Sequence, residues 1–116
     1  MEARAIARSV GMSPRKVRMV VDLIRGRGVN EAYSILKFSK KIATRPIEKT
    51  LRSAVANAQQ KADAEGAFLD TDELVVREVF VNEGPRLKRF RAAAMGRAAP
   101  RIKRTSQITI IVDRKE

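Results

Sequence analysis

One segment of the chain, residues 84–104, is too basic to form a compact fold by itself. It holds eight of the chain's 25 basic residues and none of its 13 acidic residues. Strand-like sequences flank it at residues 73–82 and 105–113, which predicts a long β-hairpin arm extending from a compact body. Because the arm cannot neutralise its own charge, we expect an external polyanion to stabilise it, with nucleic acid as the first candidate. The alternative interpretation is a disordered basic loop that tethers to any anionic surface.

The composition indicates one domain with a polyanionic partner. A chain of 116 residues is long enough for a single modest core, so we assign residues 1–116 to one domain. Its body is residues 1–83 and 105–116, and its arm is residues 84–104. A net charge of +12 is typical of proteins that bind nucleic acid or membrane surfaces. The longest aliphatic runs, such as residues 110–112, have three residues, far below the ~20 residues that span a bilayer, so we expect no membrane partner.

The residue types argue against an enzyme. The chain has no histidine and no cysteine, which removes the commonest general base, the commonest metal ligand and any disulfide framework. Asp70, Asp72 and Glu73 cluster, and we interpret them as an acidic loop before a strand rather than a Mg²⁺ site. We therefore expect no catalytic residues, no metal and no cofactor.

The body begins with a strand and a helix. Alternation over residues 2–10 predicts a strand with alanines on one face and with Arg4 and Arg8 pointing outward. Ser13 and Pro14 are typical of a helix start, with serine as the N-cap. The i, i+3, i+4, i+7 spacing then predicts a buried stripe of Val17, Val20, Val21 and Ile24. The opposite helix face carries Arg15, Arg18, Asp22 and Arg25.

Two further helices and two strands complete the predicted body. Asn30 is placed to cap a second helix that ends near Phe38, and a third helix runs from residues 43–46 to about residue 64. The apolar strands on either side of the arm pair with each other. The resulting fold class is α+β, with three helices packed on a small three-stranded antiparallel sheet and a long protruding β-hairpin.

The arm has the features of a thin cationic hairpin. Gly84-Pro85 fits a bend where the arm leaves the sheet, and Met95-Gly96 fits the tip, with glycine supplying a positive φ. About ten residues on each side would reach roughly 30 Å from the body. Arginine and lysine side chains would contact phosphates, and Phe90 would stack on a base or wedge between RNA helices.

A winged-helix DNA-binding protein is the alternative function. Helices followed by two strands and a basic wing have nearly the same order, and residues 26–28 are a possible helix-turn-helix turn. The third helix, which would enter the major groove, is rich in alanine and mixed in charge. The arm is also long for a wing, so a structural RNA-binding protein fits better.

Several motifs resemble those of one family, and together they cover nearly the whole chain. Three motifs are similar to those of the large-subunit ribosomal protein twenty-two family. They are SPRKVR at 13–18 and VDLIRG at 21–26, both in the first helix, and SAVANA at 53–58 in the third. EGP at 83–85, LKRF at 87–90, GRA at 96–98 and KRTS at 103–106 resemble the hairpin signature of that family, in the same order and spacing.

This resemblance implies a structural component of the large ribosomal subunit that binds its ribosomal RNA and supports its assembly. It also implies that the hairpin tip lines the nascent-peptide exit tunnel. Ribosomal RNA, neighbouring large-subunit proteins and the nascent peptide are the implied partners, on the cytoplasmic ribosome and without a homo-oligomer. The RNA-binding residues it implies are Arg4, Arg8, Ser13, Arg15, Lys16, Arg18, Arg25, Arg86, Lys88, Arg89, Arg97, Arg101, Lys103, Arg104, Thr105 and Ser106. The implied tunnel-facing tip is Phe90, Arg91, Ala92, Ala93, Ala94, Met95 and Gly96.

The chain departs from the family pattern at two places. Ala92-Ala93 stands where the family usually has Pro-Arg, which removes one cation and one rigid residue from the tip. Gln107 stands where a histidine is frequent, and a glutamine side chain keeps the capacity for a hydrogen bond to RNA.

Overall fold

The fold is a three-stranded sheet covered by three helices, with a second, two-stranded sheet beyond it. The computed structural model describes residues 2–92, 94–96 and 98–114. Along the chain the elements are β1 (Ala3–Val10), α1 (Pro14–Ile24), α2 (Val29–Phe38), α3 (Thr44–Ala64), a 3₁₀ turn (Thr71–Glu73), β2 (Leu74–Glu83), β3 (Leu87–Ala92), a second 3₁₀ turn (Ala94–Gly96), β4 (Ala98–Lys103) and β5 (Ser106–Arg114). The predicted α+β class is confirmed.

The body sheet has the order β1-β5-β2, with β5 antiparallel to both neighbours. Its helix-facing side supplies most of the strand residues in the core, including Ile108, Ile110 and Val112 of the central strand. Ala3 and Ala5 of β1 are also buried, and β1 packs against α3. The small side chains therefore let a long helix approach the sheet closely, as the alternation in β1 predicts.

The helices bury the stripes that their spacing predicts. In α1 the buried side chains are Val17, Val20, Val21 and Ile24, with Pro14 at the first helical position. In α3 the buried alanines at positions 54, 58 and 62 continue the stripe begun by Ile47 and Leu51. Repeated burial on one face of each helix explains how a chain of this size forms a single continuous core.

Two predicted helix caps differ from the structure. Ser13 is the N-cap of α1, but its side chain makes no capping hydrogen bond. The predicted cap at Asn30 is wrong, because α2 begins at Val29 with Gly28 as its N-cap. The Asn30 side-chain amide instead donates to the Asp72 carboxylate at 2.5 Å. The pairing of Gly28 with Val75 brings Asp72 close enough to accept that hydrogen bond.

Helix side chains cover both outer edges of the body sheet. At the β1 edge, the Asn57 amide of α3 donates to the Arg4 carbonyl at 2.9 Å, and the Lys61 ammonium donates to the carbonyl of Glu2, just before β1, at 2.8 Å. On β2, two arginines of α1 donate to the outer carbonyls of Val79 and Val81. Unpaired strand edges favour unwanted strand pairing, so these contacts protect the sheet against edge association.

Candidate nucleic-acid interface

The arm joins the body at a narrow neck, which we define as residues 84–86 and 104–105. The Gly84 amide donates to the Thr105 carbonyl at 2.9 Å, and the Thr105 hydroxyl donates to the Pro85 carbonyl at 2.6 Å. A β-carbon on Gly84 would lie 2.5 Å from the Thr105 Oγ1 atom. Glycine at position 84 therefore allows a close approach of two backbones that an alanine would push apart.

Beyond the neck, the arm is a two-stranded ribbon of β3 and β4. Its register runs from Leu87 opposite Lys103 to Ala92 opposite Ala98. Each strand has six residues, fewer than the predicted ten, because the neck occupies the first residues on both sides. Met95 and Gly96 both have positive φ, of 65° and 75°, as the predicted tight tip requires. The described part of the chain is 67 Å long but only 28 Å by 17 Å in cross-section.

One carboxylate of the body serves two arginines of the neck. Glu83, the last residue of β2, accepts a hydrogen bond from Arg86 at 2.6 Å and lies 3.6 Å from the Arg104 guanidinium. The hydrogen bond from Arg86 is the main reason that the pKa of the Glu83 carboxyl is below its ordinary value. A single negative charge between two positive ones leaves this part of the surface cationic.

The described cations of the ribbon face solvent. Lys88, Arg89 and Lys103 are exposed, and within the described residues the Arg89 guanidinium donates only to the backbone carbonyl of Lys88, at 3.0 Å. The register also places Arg89 opposite Arg101, and like charges across a strand pair repel. The ribbon therefore has uncompensated positive charge that a polyanion would neutralise.

Apolar side chains of the arm are exposed as well. Phe90 is 74% exposed and Met95 at the tip is 98% exposed. Ala93 and Arg97 lie outside the described residues, as do the side chains of Arg91, Ala92, Ala94 and Arg101. The structure thus presents Phe90 on an exposed ribbon, where a stacking partner has access to the ring.

The basic face of α1 divides into two groups. Arg18 donates two hydrogen bonds to the Val81 carbonyl, and Arg25 donates to the Val79 carbonyl at 2.8 Å and to Asp22 at 2.7 Å. Arg15 and Lys16 are exposed, and their side chains make no hydrogen bond or ion pair with the described part of the chain. Arg18 and Arg25 therefore bind α1 to the β2 edge of the sheet, whereas Arg15 and Lys16 are available to an external ligand.

The remaining RNA-binding candidates differ in accessibility. Arg4 and Arg8 are exposed on β1. Thr105 is 9% exposed at the neck, and Ser106 is fully buried, with its hydroxyl donating to the Met12 carbonyl at 2.5 Å. Because both hydroxyl groups are used inside the protein, they position the neck rather than face a ligand. The role of Glu83 as the counter-charge of the neck is not among the predictions made from the sequence. Its position directly before Gly84-Pro85, where the arm begins, is the one sequence feature that points to this role.

The acidic loop has internal roles. The Asp70 side chain caps the first 3₁₀ turn by accepting from the Asp72 amide at 3.0 Å, while Asp72 accepts from Asn30. Among the residues that the structure describes, no group of three acidic side chains could hold a metal ion. Within the same residues, every helix is too short or too polar to cross a membrane.

Comparison with known proteins identifies the family. A family model described as Ribosomal protein L22p/L17e matches residues 5–113. A protein of Bifidobacterium longum (strain DJO10A), named Large ribosomal subunit protein uL22, is 54% identical over 116 residues, which cover 100% of this chain and 98% of the relative. Proteins with that name from Desulfitobacterium hafniense (strain DSM 10664 / DCB-2) and Staphylococcus haemolyticus (strain JCSC1435) are each 55% identical, covering 99% and 100% of this chain and 96% of each relative. The chain belongs to the ribosomal protein L22p/L17e family.

Proposed function

We propose that this protein is a structural component of the large ribosomal subunit on the cytoplasmic ribosome and that it binds large-subunit ribosomal RNA. The observation that carries the proposal is the arm, a solvent-exposed ribbon of cations with one nearby carboxylate at its root. Electrostatic attraction to phosphate dominates the affinity of such surfaces. The family match and the printed names of the relatives support the large subunit as the location.

In this proposal the RNA contacts come from the exposed cations on the arm and on the β1 and α1 surfaces. They are Arg4, Arg8, Arg15, Lys16, Arg86, Lys88, Arg89, Lys103 and Arg104, with Arg97 and Arg101 added from the family resemblance. Thr105 and Ser106 are left out because their hydroxyl groups bind backbone carbonyls within the protein. Arg18 and Arg25 contribute charge while their guanidinium groups remain on the β2 edge.

The tip of the hairpin is proposed to line the exit tunnel, as the resemblance to the family implies. The thin two-stranded shape and the exposed Met95 suit a narrow passage between RNA walls. Neighbouring ribosomal proteins and the passing nascent peptide would then be its partners. In this role the protein supplies shape and charge, and the proposal assigns it no catalytic step. Family membership argues against the winged-helix alternative, and α3 is packed on the sheet rather than presented to a groove.

The arm's role is tested by replacing one exposed cation and measuring rRNA affinity over a range of salt concentrations. Lys103→Ala should weaken binding and reduce the slope of log affinity against log salt by about one unit, as expected for one lost phosphate contact. Lys37→Ala, an exposed lysine on α2, is the matched control and should leave the slope unchanged. An unchanged slope for Lys103→Ala would place that side chain away from the RNA.

A further inference from the structure

A groove of about 680 Å³ lies where the arm meets the body. Its wall combines the start of α1, the connector between α2 and α3, and the end of the arm. Its lining includes four apolar and three basic side chains, those of Met12, Met19, Ile42 and Ile102 and those of Lys16, Lys41 and Arg104. The volume falls within the range of about 300–1,000 Å³ that is typical of small-ligand sites. We call this feature the root groove.

The root groove gathers apolar side chains that remain exposed. Met19 is 55% exposed, Ile42 is 75% exposed and Ile102 is 47% exposed. Single exposed apolar residues are ordinary on a protein surface, but a set gathered around one concavity gives the apolar face of a ligand a surface to pack against. Met12 and Met19 add polarizable thioether groups, which make favourable contacts with aromatic rings.

The charge around the root groove has one sign. Lys16, Lys41 and Arg104 are basic, and none of the described residues that line the groove is acidic. The side-chain ammonium groups of Lys16 and Lys41 make no hydrogen bond or ion pair with the described chain, while the Arg104 guanidinium lies 3.6 Å from the Glu83 carboxylate. The groove also adjoins the N-terminus of α1, whose first turn has no acidic residue. A ligand that fits both features has an apolar face and a negative charge.

From this combination we propose that the root groove binds one unpaired nucleotide of ribosomal RNA. The base lies against Met19, Ile42 and Ile102, and its phosphates lie near the three cations. The flat face of any base can pack against apolar side chains without regard to sequence, and the phosphates of the nucleotide supply the charge that the cations complement. The inference rests on the proposed rRNA-binding function and adds the kind of RNA element that is recognised.

The position of the root groove gives this nucleotide a mechanical consequence. Ile102 and Arg104 belong to the arm side of the groove, whereas Met19 and Ile42 belong to the body. A nucleotide that contacts both sides bridges them beside the neck. It therefore holds the arm at a fixed angle to the body when the protein is on RNA.

The test compares Ile42→Ser with wild-type protein on deproteinised large-subunit rRNA. Ile42 is largely exposed, so the substitution leaves the core intact, and Phe68→Ser is the matched control because Phe68 is 86% exposed and does not line the groove. We expect Ile42→Ser to weaken binding about tenfold, the scale expected when one aliphatic side chain no longer packs against the base. Its salt slope should equal that of wild type because no phosphate contact is lost. Acylation of ribose 2′-hydroxyls should show an unpaired nucleotide that wild type protects and Ile42→Ser exposes.

Each other outcome overturns the proposal in a distinguishable way. If Ile42→Ser binds the rRNA with the same affinity as wild type and protects the same nucleotides, the root groove holds no nucleotide, while the proposed function stands. If that variant also loses a neighbouring protein from reconstituted subunits, the occupant is a protein segment. Failure of wild-type protein to bind the rRNA would overturn the proposed function and the nucleotide site together.

Discussion

Arg18 donates two hydrogen bonds to the carbonyl oxygen of Val81, from Nε at 3.2 Å and from Nη2 at 2.8 Å, across 63 residues of sequence. This fork joins the exposed face of α1 to the outer edge of β2. Val81 is 4% exposed, so water has little access to its carbonyl oxygen if the Arg18 side chain is removed. A side chain on the basic face of α1 therefore fastens the helix to the sheet.

Arg18→Met should lower the free energy of unfolding by about 1–2 kcal/mol, because it removes both hydrogen bonds from a charged donor while keeping most of the apolar stem. Chemical denaturation measures this change. Arg15→Met is the matched control on the same helix and should change stability by less than about 0.5 kcal/mol. Equal stability of both variants would show that the contact with Val81 contributes nothing.

Gly84→Ala should destabilise the neck, because the new β-carbon would meet the Thr105 Oγ1 atom at 2.5 Å and the Thr105 backbone carbon at 3.3 Å. We expect a loss of about 1–3 kcal/mol in thermal or denaturant unfolding, the usual scale for overpacking. Thr105→Ala in the same chain should make the combined effect smaller than the sum of the two single effects. Gly11→Ala, where nothing lies within 4 Å, should be close to neutral, and a similar loss there would refute the steric explanation.

The Glu83 carboxyl should titrate below its ordinary pKa of 4.5, because Arg86 donates a hydrogen bond to its ionised form. Since the folded-state pKa is lowered, the contribution of this ion pair is present above pH 4.5 and is lost as the pH falls through the folded-state value. NMR titration of the Glu83 side chain measures the pKa directly. Arg86→Gln should raise that pKa towards 4.5, and an unchanged titration would assign the shift to another cause.

The arm should be weakly protected from hydrogen exchange in the free protein and strongly protected on rRNA. A two-stranded ribbon is marginally stable in water, and Leu87, Phe90 and Ile102 are all exposed. Amides of β2 and β5, which pair in the body sheet, provide the internal control and should be protected in both states. Strong protection of residues 86–103 without RNA would rule out an arm that becomes ordered on RNA.

The sequence predicts the elements of this fold better than their contacts. The stripe that begins at Val17 and the alternating alanines of β1 depend on local periodicity, so they are readable from the sequence. The order β1-β5-β2 depends on pairings between distant segments, and no local pattern specifies it. The wrong cap at Asn30 has the same origin, since Asp72 competes for the Asn30 side chain from 42 residues away.

In the candidate site, too, local features can be predicted from the sequence and contacts between distant segments cannot. A concentration of charge at residues 84–104 is visible in the sequence, and so is the exposed face of α1. Whether Arg18 contacts RNA phosphate or a strand carbonyl depends on where β2 lies. The burial of Ser106 beside Met12 likewise depends on the β1–α1 turn reaching the neck. Residue type and neighbouring charge identify the surface, whereas tertiary structure decides which of its groups are free.

The most direct test of the central claim is sedimentation of the tagged full-length protein from a cell lysate through sucrose gradients at moderate and high salt. The account predicts that the protein migrates with the large ribosomal subunit and remains there at high salt, as an integral component held by many contacts would. Migration at the top of the gradient, or with fractions that a DNA-specific nuclease disperses, would contradict it.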